Sequence, residues 1–362
     1  MSDPAISSFV ISLDFELFWG VCGTQTVDSY GRHVEGEWEA VPRMLKLFRR
    51  YGMRVTWATV GMAMCRGYKQ WRGLRPAVLP GYQRMDISTY AQDALVREYP
   101  RLFFARPLVE RILDTPGQEL ASHTYSHFYC AEPGATPEQF AADLACYDEV
   151  AADVGVSSRG QARCSLVFPR NQIVERFIAV LPKAGIRIYR GNADHWLYRN
   201  GDAVAGGKAG RAVRYADACL PISGKHIAEP LHDKGIVNLP ASMFLYPTSG
   251  AFSALAAMRI SRVKRAMTAA ARRGGVFHLW WHPHNFGINT DANMAMLESI
   301  LRHYRVLADR YGMRTGCMND FAAPVGPAQD DPAQDDSAKD DPFRTDEMNR
   351  RPQYPAQASC QG

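Results

Sequence analysis

Apolar runs and amphipathic stretches alternate along residues 9–321 of the chain. Short runs rich in β-branched and aromatic residues predict buried strands, whereas apolar residues three and four positions apart predict helices. The predicted strands are residues 9–14, 54–60, 119–122, 164–168, 186–189, 236–239 and 276–281. The predicted helices are residues 39–51, 108–113, 137–154, 253–273 and 292–311, with Thr136 as the N-cap of the third.

Strands separated by helices in this order predict parallel βαβ units. About seven units in some 320 residues favour a closed or nearly closed α/β barrel over a short open sheet. Residues 62–107 follow the second predicted strand and are too long for a plain connection, so they form an insertion. Their aromatic and basic side chains suit a sugar joined to a phosphate or nucleotide. A surface subdomain with its own small core explains them equally well.

The last part of the chain, residues 322–362, repeats Asp-Asp with Pro, Ala and Gln and has little to bury. We expect a disordered acidic tail there, after a barrel domain of residues 1–321.

The chain has a formal net charge of +5; from Pro324 onward, eight acidic and four basic residues give −4, which leaves +9 before it. That positive charge suggests nucleic-acid binding, but no recognition motif or dense Lys/Arg run supports it, so this function ranks last.

With 46% hydrophobic and 22% charged residues among 362, the composition is that of a globular protein and not of a fibrous one. No run of 18 apolar residues predicts a membrane span, and residues 1–8 lack the features of an export signal. The eight cysteines form no Cys-x-x-Cys pair, which argues against a thiolate zinc site and favours a reducing cytoplasm. Residues 254–273 are basic and amphipathic, which suits peripheral contact with the inner face of the cytoplasmic membrane or, more commonly, an outer barrel helix.

Two groups of metal-ligand residue types stand where predicted strands end. Asp14 and Glu16 close the first strand, and the alternation of side chains places both carboxylates on one side. His123 and His127 follow the third strand with the i, i+4 spacing that lets two imidazoles share a metal ion. A solvated strand end explains the acids, and a capping pair explains the histidines, but their occurrence together favours metal binding.

Two further groups stand at other strand ends. His282 and His284 follow the last strand, and either imidazole has the ordinary pKa of a general acid near neutrality. Arg170 and Asn171 follow the fourth strand, where Arg170 is expected to pair with Asp14 and lower its pKa. Both groups also have a purely structural explanation, as core packing and as a salt bridge.

Taken in order, these groups resemble the motifs of the polysaccharide deacetylase (NodB homology) superfamily of carbohydrate esterases. The resemblance spans about residues 9–321 and rests on the segments Ser12-Leu-Asp-Phe-Glu16, His123-Thr-Tyr-Ser-His127, Phe168-Pro-Arg170, Asp194-His-Trp196 and Leu279-Trp-Trp-His282. It implies a distorted (β/α)7 barrel and one divalent metal ion, with zinc, manganese, iron and cobalt not distinguished. The implied metal ligands are Glu16, His123 and His127, and the implied catalytic residues are Asp14 as base, Arg170 as its partner, His282 as acid and Asp194 as support for the acid.

The first motif departs from the family pattern, which has two adjacent aspartates, because Phe15 separates Asp14 from Glu16. This leaves open which acid is the base, and it keeps a metal-independent cyclic-amide hydrolase and an inactive carbohydrate-binding barrel as alternatives.

The resemblance predicts a hydrolase that removes an acetyl or formyl group from an amino sugar during bacterial surface-polysaccharide (O-antigen-like) assembly, with a substrate that is nucleotide- or lipid-linked. The expected substrate-binding residues are Trp19, Asn171, Trp196, Trp281 and His284.

Overall fold

A computed structural model describes residues 7–157, 164–193, 195, 197–198, 208–220, 223–224, 226–248 and 254–322. These residues belong to one unit, Met1–Ala323. Asp194, Trp196 and the predicted tail beyond Ala322 lie outside the described residues, so their roles and the disorder of the tail stay predictions.

The strands are β1 (Ser7–Phe15), β2 (Val55–Thr59), β3 (Gln118–Ser122), β4 (Ser165–Leu166), β5 (Ile188–Gly191), β6 (Leu231–Asp233), β7 (Ile236–Pro240), β8 (Met243–Phe244), β9 (Gly275–Trp281) and β10 (Arg314–Gly316). The helices are α1 (Val27–Glu35), α2 (Glu37–Tyr51), α3 (Tyr68–Gly73), α4 (Asp93–Glu98), α5 (Pro100–Phe103), α6 (Arg106–Leu113), α7 (Pro137–Asp153), α8 (Glu175–Ile178), α9 (Lys208–Cys219), α10 (Ala254–Arg273) and α11 (Thr290–Tyr311). Every predicted strand and helix is present. Thr136 caps α7 as predicted, since its hydroxyl accepts a hydrogen bond from the Gln139 N–H.

The strands β1 to β5 and β9 pair in parallel, and one bent segment closes them into a barrel. The first part of residues 236–244 pairs with β5 and the last part pairs with β9. At the bend, the Ala241 N–H donates to the Gly191 carbonyl and the Ser242 N–H donates to the His278 carbonyl, at N–O distances of 2.8 and 2.7 Å. Counting β7 and β8 as this one segment, the ring has seven strands, which confirms the distorted (β/α)7 barrel.

Long helices cover the outside of the ring, because each of them has one apolar face. Helix α10 packs on β1 and β9, α6 packs on β3, and α2 packs against α11. The core beneath them is rich in aromatic side chains; Phe9, for example, stacks with Phe277 and Tyr304. No helix within the described ranges combines the length and apolar composition that crossing a membrane requires.

The insertion, residues 62–107, uses its aromatic and basic side chains for its own packing. Trp71 is fully buried against Trp19, and the Arg75 guanidinium lies 4.7 Å from the ring centres of both Trp71 and Tyr90. None of its residues lines the large cavity described below. Contact of the insertion with a sugar phosphate and its role as a separate surface subdomain both stay predictions.

Candidate functional site

The predicted strand-end residues meet at the wall of one cavity of about 920 Å³. In the parallel register, Leu13 lies opposite Trp281 and Asp14 lies opposite Ala58, so the carboxyl ends of β1, β2 and β9 are level. Residues that come directly after these strands therefore converge on the same edge of the barrel.

Asp14 is buried and is held by an arginine at both carboxylate oxygens. Arg190 Nη1 lies 2.6 Å from Oδ1, and Arg190 Nη2 lies 2.7 Å from Oδ2. Arg190 also donates to Ser12 and Asn171 and lies against the Trp280 ring. Burial alone would raise the pKa of Asp14, but the attraction of Arg190 outweighs it, so this pKa is lowered and the carboxylate stays ionised.

The predicted partner of Asp14 was the wrong arginine. Arg170 has a left-handed backbone conformation, with φ of 54°, and its guanidinium lies over the Tyr129 ring at 4.2 Å. It lines the cavity but makes no ion pair with Asp14. Arg190 follows the predicted strand 186–189 directly, and that position was the signal which the sequence offered for it.

Glu16, His123 and His127 form a buried cluster whose ligand atoms all lie within 4.8 Å of one another. Glu16 Oε2 is 3.0 Å from His127 Nε2 and 3.4 Å from His123 Nε2. Both oxygens of Asp14 are engaged by Arg190, so the structure favours Glu16 as the ligand of the acid pair.

The loop that carries the two histidines is shaped by a buried carboxylate on α7. Asp143 accepts hydrogen bonds from the Tyr125 N–H at 2.7 Å and from both the N–H and the hydroxyl of Ser126. Thr124 and His127 have positive φ values of 61° and 56°. Such a conformation is costly for residues with a side chain, so these hydrogen bonds hold the loop in the form that turns both imidazoles toward Glu16.

The cluster fits a divalent ion. His123 Nδ1 lies 2.9 Å from the Val167 carbonyl, which fixes the proton on Nδ1 and leaves the lone pair of Nε2 toward Glu16. That Nε2 is buried and has no hydrogen-bond partner. Burial lowers the pKa of His127 to about 4, so its imidazole is neutral near pH 7, as metal binding requires. Two neutral imidazoles and a carboxylate are a common set of zinc ligands.

Gly20 lies directly beneath the Glu16 carboxylate, where a side chain does not fit. A Cβ at this position would stand 2.0 Å from Glu16 Cδ and 2.2 Å from Oε1. We therefore predict that Gly20→Ala displaces Glu16 and weakens zinc binding by at least about 10-fold, as other changes behind a ligand do. Titration calorimetry with Zn²⁺ measures this effect. Gly73→Ala is the control, since its added Cβ meets nothing within 4 Å. Wild-type zinc affinity in Gly20→Ala would contradict the ligand role of Glu16.

Both candidate acids line the cavity, and His282 is the more exposed of the two. Its side chain is 25% exposed, and Nε2 lies 3.7 Å from both Asp14 Oδ2 and Glu16 Oε1. His284 is buried and stacks on it at 5.0 Å. Burial lowers the pKa of His284 to about 3, so its imidazole is neutral near pH 7 and not the protonated form that a general acid requires.

Behind His284 lies a carboxyl group that the sequence analysis missed. Glu37, the first residue of α2, is fully buried, and its Oε1 is 3.7 Å from His284 Nδ1. Burial, and after it the charge of Glu16, raises the pKa of Glu37 well above its ordinary value. A buried carboxyl group with a raised pKa therefore lies beside His284.

The predicted substrate-binding residues divide into two groups. Asn171 and His284 line the cavity. Trp19 and Trp281 do not: Trp19 packs against Phe103 in the core, and Trp281 stacks with Phe286. Both predictions are therefore corrected.

The cavity is instead lined by Trp280, the neighbour of Trp281 on β9. Successive side chains of a strand point to opposite faces, which puts Trp280 on the face of His278 and His282.

No protein-family model matches the chain, and no curated protein sequence matches it. Among solved structures, it resembles a protein from Mycobacterium smegmatis assigned as a polysaccharide deacetylase, at 15% identity over 89% of this chain and 90% of that one, with a TM-score of 0.56. It also resembles the allantoinase PuuE, at 10% identity over 88% of this chain and 90% of that one, with a TM-score of 0.50. At these identities the likeness concerns the fold. The chain therefore has the barrel fold of the polysaccharide deacetylases, as the resemblance of its motifs implied.

Proposed function

We propose that this chain is a metal-dependent hydrolase that removes an N-acyl group, acetyl or formyl, from an amino sugar. One observation carries the proposal. The proposed ligand set (Glu16, His123 and His127), an ionised carboxylate (Asp14) and a partly exposed imidazole (His282) are linked by contacts of less than 4 Å: Glu16 lies that close to both ligand histidines and to His282, and His282 lies that close to Asp14. Metal-assisted amide hydrolysis uses these three functions together.

The roles of the carboxylates follow from their surroundings. A divalent ion bound to Glu16, His123 and His127 would make water a stronger acid and would polarise an acyl oxygen. Asp14 is then the base, since Arg190 fixes its orientation, and its Oδ2, which accepts from Arg190 Nη2, also lies 3.7 Å from His282 Nε2. Because its pKa is lowered, the Asp14 carboxylate is a weak base. It is therefore better suited to deprotonate a water whose own pKa is lowered by a metal ion than an uncoordinated water.

His282 is placed to protonate the amine that leaves. Its imidazole is partly exposed to the cavity and stacks on His284, and Glu37 lies beside His284. The Phe244 and Trp280 rings lie beside it, at 5.8 and 5.6 Å, and offer flat apolar surfaces to a sugar ring. These contacts support an amino sugar as the substrate. A role in surface-polysaccharide assembly, a cytoplasmic location and contact with a membrane surface are part of the same proposal.

Metal analysis tests the proposal. We expect about one equivalent of zinc, manganese, iron or cobalt per chain in protein purified without a histidine tag. His123→Ala/His127→Ala should lose that metal, and with it the release of acetate or formate from N-acetyl and N-formyl amino sugars. The exposed His232 supplies the control, His232→Ala, which should keep both.

The alternative is a metal-independent cyclic-amide hydrolase, in line with the allantoinase among the structures of similar fold. Hydrolysis of a cyclic amide by metal-free protein at the rate of metal-loaded protein would favour it. Sugar binding without any hydrolysis would favour an inactive carbohydrate-binding barrel.

A further inference from the structure

Helices α9 and α10 form another part of the wall of the same cavity. The titratable side chains that line it there are Arg214, Arg259, Arg262, Asp217 and His226. Burial lowers the pKa of His226 to about 4, so its imidazole is neutral near pH 7. Three guanidinium groups and one carboxylate therefore line this part of the wall among the described side chains.

The two buried arginines of α10 differ in their partners. Arg262 is well satisfied: Nη1 lies 3.2 Å from Asp217 Oδ2, and Nη2 donates to Ser223 Oγ at 3.0 Å. Arg259 is only 8% exposed, yet its one hydrogen bond to a described residue is a long one, 3.4 Å to the Pro247 carbonyl. No carboxylate of the described residues forms an ion pair with Arg259. A buried guanidinium without a counter-ion is unfavourable, which points to an anion supplied from outside.

A row of aromatic rings connects Arg259 to the proposed proton donor. Phe244 lies 5.8 Å from His282, Tyr246 lies 4.8 Å from Phe244, and Tyr215 lies 5.6 Å from Tyr246, all between ring centres. The Arg259 guanidinium lies 5.2 Å from the Tyr215 ring centre. His282 and Arg259 line the same cavity, so a ligand that fills it can meet both side chains.

We propose that Arg259 binds a phosphoryl group of the substrate, so that the enzyme acts on a phosphorylated amino sugar and not on a neutral polysaccharide. This inference rests on the proposed function and names its substrate class. Guanidinium groups match the geometry of phosphate oxygens.

The test compares N-acetylglucosamine with N-acetylglucosamine 1-phosphate, which share one amide and differ by the phosphate. We expect the wild-type protein to bind the phosphosugar at least about 10-fold more tightly by calorimetry, and to show the same preference in KM. Arg259→Gln should lose about 10- to 100-fold in affinity for the phosphosugar only, because a hydrogen bond to a charged group is lost. Arg259→Lys keeps the positive charge and should recover part of the lost affinity for the phosphosugar. Arg265→Gln, on the exposed face of α10, is the matched control.

Each result has one meaning. Equal binding of the two sugars by wild-type protein, or phosphosugar binding unchanged in Arg259→Gln, overturns the inference even if both amides are hydrolysed. Loss of phosphosugar binding in Arg259→Gln supports the phosphate site even if neither amide is hydrolysed, in which case the proposed function alone fails. Nucleoside-diphosphate-linked and polyprenyl-phosphate-linked sugars then distinguish the carrier by kcat/KM, and a higher value for a neutral oligosaccharide overturns the inference.

Discussion

Arg190→Met is expected to lower the free energy of unfolding by about 3–5 kcal/mol, the usual cost of breaking a buried ion pair by removing one partner. The Arg190 side chain is fully buried and meets both oxygens of Asp14. Met keeps much of the apolar contact with Trp280 but leaves the Asp14 carboxylate buried with no guanidinium beside it. Urea unfolding at pH 7, followed by fluorescence, measures the difference.

The matched control is Arg170→Met, which removes an arginine that the sequence placed beside Asp14 and the structure places over Tyr129. Its loss should cost less than about 1 kcal/mol, as for a partly exposed cation–π contact. If Arg170→Met lost more stability than Arg190→Met, then Arg170, and not Arg190, would be the arginine that stabilises the buried Asp14 carboxylate.

The pH dependence of the Arg190→Met effect provides a second measurement. In the wild-type protein the pKa of Asp14 is lowered, so the stability from this pair is present above its unfolded pKa of about 4 and is lost as the pH falls through the folded value. Without Arg190, burial raises the pKa of Asp14. As the pH falls, protonation removes the buried unpaired charge and so reduces the loss of stability in the variant. The difference in stability between the two proteins should therefore shrink as the pH is lowered from 7 towards 4.

The two arginines show how far the sequence carries the prediction of the site. Strand ends could be located from apolar runs, and the convergence of Asp14, Glu16, His123 and His282 follows from parallel strands meeting at one edge. The direction in which a loop side chain points could not be predicted from the positions of the strand ends. Arg170 turns away because its φ is 54°, a value that local sequence does not dictate for arginine.

The adjacent Trp280 and Trp281 show a case in which the sequence contained the answer. The alternation that groups His278 with His282 also groups Trp280 with them, so the cavity wall could be predicted from the strand period alone. The segment that closes the barrel could not be predicted, because closure depends on a bend at residues 241–242 that lets one segment pair with β5 and then with β9. Glu37 was equally hidden, since a glutamate at a helix start is ordinarily solvated.

His282→Gln is expected to lower kcat by about 10²- to 10⁴-fold, the usual contribution of a general acid or base. The His282 side chain is partly exposed, and the proposed ligands do not include it, so the fold and the metal content should be unchanged. Single-turnover release of acetate from an N-acetyl amino sugar measures the effect, and His232→Gln, at an exposed position of β6, is the control.

The nature of the leaving group separates proton donation by His282 from mere positioning of the substrate. An amine must be protonated as it leaves, whereas the phenolate of an aryl acetate leaves without a proton. If His282 donates the proton, His282→Gln should lose most of its activity on the amide and little on the aryl ester. If it only positions the acyl group, both substrates should slow by the same factor, because both present the same acyl carbon to Asp14. Equal losses would therefore reject His282 as the acid. The acid would then have to come from another residue, since His284 is buried and neutral.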